Sequence, residues 1–297
     1  MSIIIPAYNA ERSIEKCIRS ALAQKYPQEN YEVLVVDNNS TDNTVQRIQS
    51  FADVRYILEK DRQNCFAACN TGARNARYDL FAFLDADQVA DENWLRELVS
   101  GHDDERYGAM GGRYVYDDQQ LLKDIDVRGN DNRHGIKVDG LDTLGSSNCI
   151  YKRHVFEALG GFFDEWFSGA DFDMAFRLQN GLKLNIKYNP NAFVVEEGRT
   201  VSEYLKREFR IGYGRMILTE RYPRMRQSTL SLIWDIGRRN LSGCGAILYY
   251  CLRAFVQPRK SLYKIQCIAC DMALQTAGFL GKIQYSISRK RLFPANW

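Results

Sequence analysis

Long apolar runs are missing from this chain. No stretch approaches the roughly 20 residues of a membrane-spanning helix, and the best candidate, residues 243–256, is short and carries Arg253. Nor is there a signal-peptide core before Pro6, because Ile3-Ile4-Ile5 has no basic flank and reads as a buried strand. The three histidines (102, 134 and 154) form no ligand cluster and are expected on the surface or in loops. Zinc spacing is absent as well. Cys267 and Cys270 form a lone C-x-x-C with no second Cys/His pair, and thiols one helical turn apart read as core residues. All eight cysteines are therefore expected as reduced cytosolic thiols, not as a disulfide framework. Repeats and low-complexity tracts are lacking. With 45% hydrophobic and 26% charged residues, wholesale disorder and fibrous architectures are excluded too.

Net charge is also scarce, at +3, but the charges are segregated. Residues 206–297 hold 17 Lys+Arg against 4 Asp+Glu, which leaves 23 against 33 in residues 1–205. An acidic body joined to a basic tail predicts two parts with different partners.

What is present along the first half is an alternation of strand-like runs and helical patterns, which predicts an open α/β sheet. Strands are expected at Ile3–Ile5, Val33–Val36, Val54–Leu58 and Leu80–Leu84. Helices are expected from about Glu11 to Gln24, over Phe66–Ala76, and through Ser50 behind N-cap chemistry from Ser40, Thr41 and Asp42. Ligands of such sheets gather at the carboxyl ends of the strands. Those ends carry Ala7–Asn9, Asp37–Asn39, Lys60–Asn64 and Asp85–Asp87, all polar and three of them with carboxylates. From Asp117 to Leu144 periodicity disappears, as in a binding or lid loop. Order returns at Asn148–Tyr151, and Asp171 opens a helix that stops near Gly181. Beyond Thr200 the chain reads as helical and basic.

Each cluster alone has an ordinary explanation. Asp85-Ala86-Asp87 is a carboxylate pair suited to Mg²⁺ or Mn²⁺, or a solvated turn after a strand. Asp37–Asp42 is largely explained as an Asx-rich turn, although Asp37 sits at the strand end, where it can accept from a base N–H.

The combination is more specific. Ser2-Ile-Ile-Ile-Pro-Ala-Tyr-Asn9, Val35-Val-Asp-Asn-Asn-Ser-Thr-Asp42, Phe83-Leu-Asp-Ala-Asp87 and Gly169-Ala-Asp-Phe-Asp173, in this order and at these intervals, resemble the family 2 inverting glycosyltransferases over roughly residues 1–215. The resemblance implies a GT-A fold, a Rossmann-like open mixed sheet flanked by helices, here as residues 1–215 with a basic helical extension at 216–297. It also implies transfer of a sugar from a nucleotide-sugar donor, UDP-linked by preference, to an acceptor hydroxyl by single displacement, with Mn²⁺ or Mg²⁺ as cofactor. Carried over residue by residue, Pro6, Ala7, Tyr8 and Asn9 would cradle the nucleoside, and Asp37, with Asn39 beside it, would read the base. Asn64 and Asn70 would lie beside the sugar nucleotide. Asp85 would face ribose and metal, Asp87 would be the main metal ligand, and Asp171 would be the catalytic base. Arg207 and Arg210, with Trp166 and Asp173, would approach pyrophosphate and acceptor. Separately from the resemblance, His134 in the polar loop is a candidate acceptor contact.

The chain departs from that pattern in places. Ala170 stands where Glu is usual, Cys69 replaces an Arg, and Ile211 replaces a Trp. Glu196-Glu197 stands where a metal-binding His often falls; one of the two substitutes for it, or the pair is solvated surface. The replacements at Cys69 and Ile211 argue against a processive polysaccharide synthase.

In the basic region, helices are expected around Leu230–Arg239, Gly243–Val256 and Leu262–Ser288. They read either as an appendage packed on the domain or as a peripheral attachment to an anionic cytoplasmic membrane face, with Trp234, Tyr249, Tyr250 and Phe255 in the headgroup zone. Each basic residue near such a surface contributes on the order of 1 kcal/mol. No nucleic-acid recognition motif is present. Lipid-linked glycan acceptors, common in the family, fit the membrane reading. Two other functions stay open: a sugar-phosphate nucleotidyltransferase, which wants a Gly-rich cationic loop where Pro6-Ala-Tyr-Asn9 stands, and a relative that binds nucleotide or membrane without turnover.

Overall fold

The first strand is apolar beyond Ser2, and all six residues of β1 (Ser2–Ala7) are buried. That is the pattern of a strand covered on both faces. β2 (Glu32–Asp37), β3 (Val54–Leu58) and β4 (Leu80–Phe83) join it in parallel, in the order β3-β2-β1-β4. The computed structural model describes residues 1–117, 137–138, 140–197 and 201–223, with scattered residues between 244 and 284. Among them, β5 (Gln88–Ala90), β6 (Tyr107–Asp117), β9 (Cys149–Lys152) and β10 (Asn185–Glu197) complete an eight-stranded mixed sheet in the order β3-β2-β1-β4-β9-β6-β10-β5. β7 (Lys137–Val138) and β8 (Leu141–Asp142) form a separate hairpin inside the expected polar loop. Residues 118–136 and 139 of that loop, with His134, lie outside the described residues, as do residues 224–243 and 245–268 of the basic region, with Trp234, Tyr249, Tyr250 and Phe255.

The chain divides into two compact units, the first comprising Met1–Asp117 and Asn132–Glu197, the second the remainder. In the first unit, alternate residues of β1 serve opposite faces. Ile3 and Ile5 join Val33, Val35, Cys17, Ile18, Trp94 and Leu95. Ile4 joins Val36, Phe66, Phe83, Tyr151, Phe162 and Met174. α1 (Ile14–Leu22) and α4 (Trp94–Val99) supply residues to the first layer. The second takes α3 (Cys65–Asn75), α5 (Arg153–Ala158) and α6 (Ala170–Gly181). Ile14, Cys17, Ile18 and Ala21 of α1 are buried at the spacing of one helical face. α2 (Thr44–Gln49) starts later than its Ser/Thr/Asp run predicts, with Asn43 as N-cap. Ser40, Thr41 and Asp42 instead hold the two loops together. Ser40 Oγ accepts from Asn9 N at 3.0 Å, Asn9 Oδ1 from Thr41 N at 2.8 Å, and Asp42 from Glu11 N at 3.3 Å.

In the second unit, α7 (Val201–Arg221) runs for 21 residues. Its Gly212 lies so close to the backbone of Gly278 that a Cβ would collide with the carbonyl oxygen, so glycine allows that approach. No described helix is long and apolar enough to cross a membrane.

Candidate active site

The sheet opens where its strand order reverses, between β1 and β4. Their ladder ends at Ile4–Phe83, closed by Leu84 N donating to the Ile4 carbonyl at 3.1 Å. Alternate residues of a parallel strand face the same neighbour, so Pro6 turns its missing N–H toward the β4 side, past the last ladder bond. This is how a proline fits within a central strand. The crevice beyond is where open α/β sheets bind ligands.

Four polar segments border that edge. After β1, Ala7 is buried, Tyr8 is 49% exposed, and Asn9 adopts a left-handed φ of 48°. After β2, Asp37 is 1% exposed, accepts from Ser40 N at 3.2 and 3.3 Å, and receives the Tyr56 phenol. Burial raises the Tyr56 pKa, and the Asp37 carboxylate adds to the rise. Asn39 is exposed, with φ at 63°. After β3, Glu59 accepts from the amides of Asp61 (2.8 Å) and Arg62 (3.1 Å) and from Thr71 Oγ1. After β4, Asp85 and Asp87 are both half-buried.

Electrostatics ties the carboxylates together. Burial pushes the Cys17 thiol well above its ordinary pKa, and Asp87 and Asp85 push it further. Cys149, paired with Phe83 across the β4–β9 ladder, is raised by burial and then by both Asp85 and Asp171. Asp171, in the first turn of α6 behind the left-handed Gly169 (φ 89°), therefore shares a neighbour with Asp85. The absence of a bulky residue at 170 is structural here, since Ala170 is fully buried.

Other expected site residues have different surroundings. Asn64 caps α3, accepting from Ala67 N at 2.9 Å and donating to the Asp164 carbonyl at 2.5 Å. The Asn70 amide, expected beside the sugar nucleotide, is 7% exposed, and both its ends bond the Phe162 peptide. Asp173 is fully buried and accepts from Arg177 Nε at 2.6 Å. Trp166 is half-buried with its ring 5.3 Å from Phe163. Arg207 and Arg210 belong to the second unit; Arg207 pairs with Glu208 at 3.4 Å, and Arg210 is exposed. Glu196 is 1% exposed, which overturns the solvated-surface explanation for it; in the β5–β10 ladder it stands opposite Gln88, the residue after Asp87. Tyr56, Glu59 and Gln88 were not foreseen, because their partners come from strand register and loop closure.

A mixed sheet with its β1–β4 edge lined by carboxylates has the GT-A arrangement, and solved structures share that fold. The Pyrobaculum calidifontis mannosyltransferase PcManGT, solved with GDP-Man and Mn²⁺, superposes with a TM-score of 0.65 at 18% identity, covering 95% of this chain and 86% of its own. Staphylococcus aureus TarS 1-349 in complex with UDP gives 0.54 at 16% identity, over 97% of this chain and 91% of its own. The model of glycosyl transferase family 2 matches residues 2–160, and the chain belongs to that family. Haloferax volcanii glycosyltransferase AglE is 28% identical over 235 residues, 73% of each chain. A 102-residue match at 36% identity, 34% of this chain and 40% of the other, joins it to the Escherichia coli UDP-Glc:alpha-D-GlcNAc-diphosphoundecaprenol beta-1,3-glucosyltransferase WfgD.

Proposed function

We propose that this glycosyltransferase moves a sugar from a UDP-sugar to an acceptor hydroxyl with inversion, Asp171 serving as the base. The observation that carries the reading is the row of carboxylates at the sheet's open edge, Asp37 at the end of β2 and Asp85 and Asp87 beyond β4, with Asp171 in the first turn of α6. Direct displacement needs a carboxylate to take the hydroxyl proton as the new bond forms. In this reading Pro6, Ala7, Tyr8 and Asn9 hold the nucleoside. Asp37, buried and oriented by Ser40 N and Tyr56, accepts from the uracil N3–H.

Asp85, Asp87 and Glu196 offer hard carboxylate oxygens, which suit Mg²⁺ or Mn²⁺. Among the described residues no group of three or more ligating side chains converges, so water and diphosphate oxygens would complete the shell. Bound there, such a cation neutralises charge on the departing nucleoside diphosphate. The acceptor is proposed to be lipid-linked, as the name of the WfgD relative states for that enzyme. Peripheral attachment to an anionic membrane face is proposed for the basic region on its 17 basic and 4 acidic residues. Flotation with anionic vesicles checks it, and binding indifferent to anionic lipid would overturn it.

A thermal-shift screen of UDP, GDP and their sugars, with and without Mn²⁺, tests the donor. Stabilisation by uridine nucleotides that grows with metal supports the reading; a preference for GDP would reverse the base assignment.

A further inference from the structure

The turn that leads into α6 is held from three sides. Gly160 and Gly161 both have positive φ (74° and 72°). Arg177, one turn along α6 from Asp173, donates to the carbonyls of Leu159 and of Gly161, the latter at 2.8 Å. Its guanidinium also stacks 4.5 Å above the Phe163 ring, and its charge is matched by buried Asp173. From α3, Asn70 Nδ2 donates to the Phe162 carbonyl at 2.8 Å and Asn70 Oδ1 accepts from Phe162 N at 3.0 Å. From the loop after β3, Arg62 and Asn64 engage Asp164 at 2.9 and 2.5 Å. Seven residues after Asp164 comes Asp171.

A turn of two glycines, Gly160 exposed and Gly161 buried, has little rigidity of its own. The carbonyls of Leu159 and Gly161 and the peptide of Phe162 meet side chains from two different helices, so the turn cannot shift without breaking buried bonds. We propose that Arg177 and Asn70 are positioning residues of the transfer step: they lock the turn at 159–162 between α3 and α6 and so fix the start of α6, with Asp171, relative to the strand end that carries Asp85. Neither need touch substrate. This rests on Asp171 being the base, as proposed above.

The brace predicts a particular split. Donor binding, built on β1, β2 and β4, is untouched when the turn loosens, whereas proton transfer depends on where Asp171 stands. A misplacement of about 1 Å costs about a hundredfold in rate.

The test uses the full chain and the variants Arg177→Lys, Asn70→Ala and Asp171→Asn. Lysine keeps a positive charge for Asp173 but lacks the fork that spans the carboxylate and two carbonyls. Hydrogen exchange is read for the peptide covering 166–173. Release of nucleoside diphosphate with Mn²⁺ is followed from whichever of UDP-glucose, UDP-N-acetylglucosamine and GDP-mannose is turned over fastest. Expected for Arg177→Lys and Asn70→Ala are exchange faster by about tenfold in that peptide, with β1 and β2 unchanged, and kcat lower by about 30- to 100-fold at a donor KM within about threefold of wild type. Unchanged exchange overturns the brace without reference to any donor, and so does faster exchange with unchanged kcat. If Asp171→Asn is inactive while both brace variants turn over normally, the brace alone fails. If Asp171→Asn stays active, the base assignment fails and the brace falls with it.

Discussion

Glu196 faces Gln88 across the β5–β10 ladder, and Gln88 in turn accepts from Asp85 N at 3.2 Å through its side chain. The buried glutamate is thus one strand away from the Asp85-Ala86-Asp87 turn, in a ladder that also fixes the turn's geometry. If it assists metal binding there, Glu196→Gln should raise the Mn²⁺ concentration for half-maximal donor turnover by about tenfold or more. Titration of Mn²⁺ at saturating donor measures this. An unchanged midpoint would remove Glu196 from the metal site and leave it a structural role.

Asp171→Asn retains the size and hydrogen-bonding reach of the side chain but cannot take a proton. Transfer should fall by on the order of 10²- to 10⁴-fold, while affinity for the nucleoside diphosphate, measured by calorimetry, stays close to wild type. Loss of nucleotide binding together with turnover would mean that Asp171 belongs to the donor site instead.

Glu59 predicts a pH dependence of stability. Burial opposes its charged form, but the Thr71 hydroxyl, the amides of Arg62 and Asp61, and the charge of Arg74 overcome that and leave its pKa below the ordinary 4.5. A carboxylate lowered in the folded state stabilises the fold fully above the ordinary value and stops doing so as pH falls through the folded one. Urea unfolding should therefore show wild type losing stability below pH 4.5. Glu59→Gln should be less stable at pH 7 by about 1–3 kcal/mol, with a flatter acid limb. Parallel profiles would show that the carboxylate contributes nothing by its charge.

The half of the fold that the residues announce is the half with uninterrupted apolar strands. β1, β2 and β4 are built on runs such as Ile3-Ile4-Ile5 and Val33-Leu34-Val35-Val36 that lead into Asn or Asp, so both the strands and their ligand-bearing edge are legible. β6 and β10 are not. Tyr107–Asp117 carries Gly108, Gly111 and Gly112, and Asn185–Glu197 carries Asn189-Pro190-Asn191, which mask the pattern. Their register slips between Asn189 and Phe193, where Gly112 lets the Ala192 carbonyl come close. The site divides the same way. Asp85, Asp87 and Asp171 stand out by position after a strand or at a helix start, whereas Asn70 gains its bonding partner only when Phe162 folds against α3. Sequence spacing carries no sign of a contact made 92 residues away.

Gly72 sets two effects of opposite sign against each other. It lies inside α3, where replacing glycine by alanine gains up to about 1 kcal/mol of helix propensity. Its Cα, however, faces the sheet, and an added Cβ would collide with Ile4 Cγ2 and crowd Val36 Cγ2. Ile4 is fully buried and β-branched, its χ1 restricted, and it sits in the central strand, so the methyl has little freedom to retreat. Overpacking of this kind costs about 1–3 kcal/mol, and the collision with a fixed neighbour places Gly72→Ala toward the upper part of that range. The net expectation is destabilisation by about 1–2 kcal/mol, read as a lower urea midpoint at unchanged slope. Ile4→Val keeps Cγ2 and should not rescue it, whereas Ile4→Ala removes the colliding methyl and should make the two changes less than additive. A raised midpoint in Gly72→Ala would show that α3 can move off the sheet at little cost, and that the close approach of helix and strand is not what requires glycine at this position.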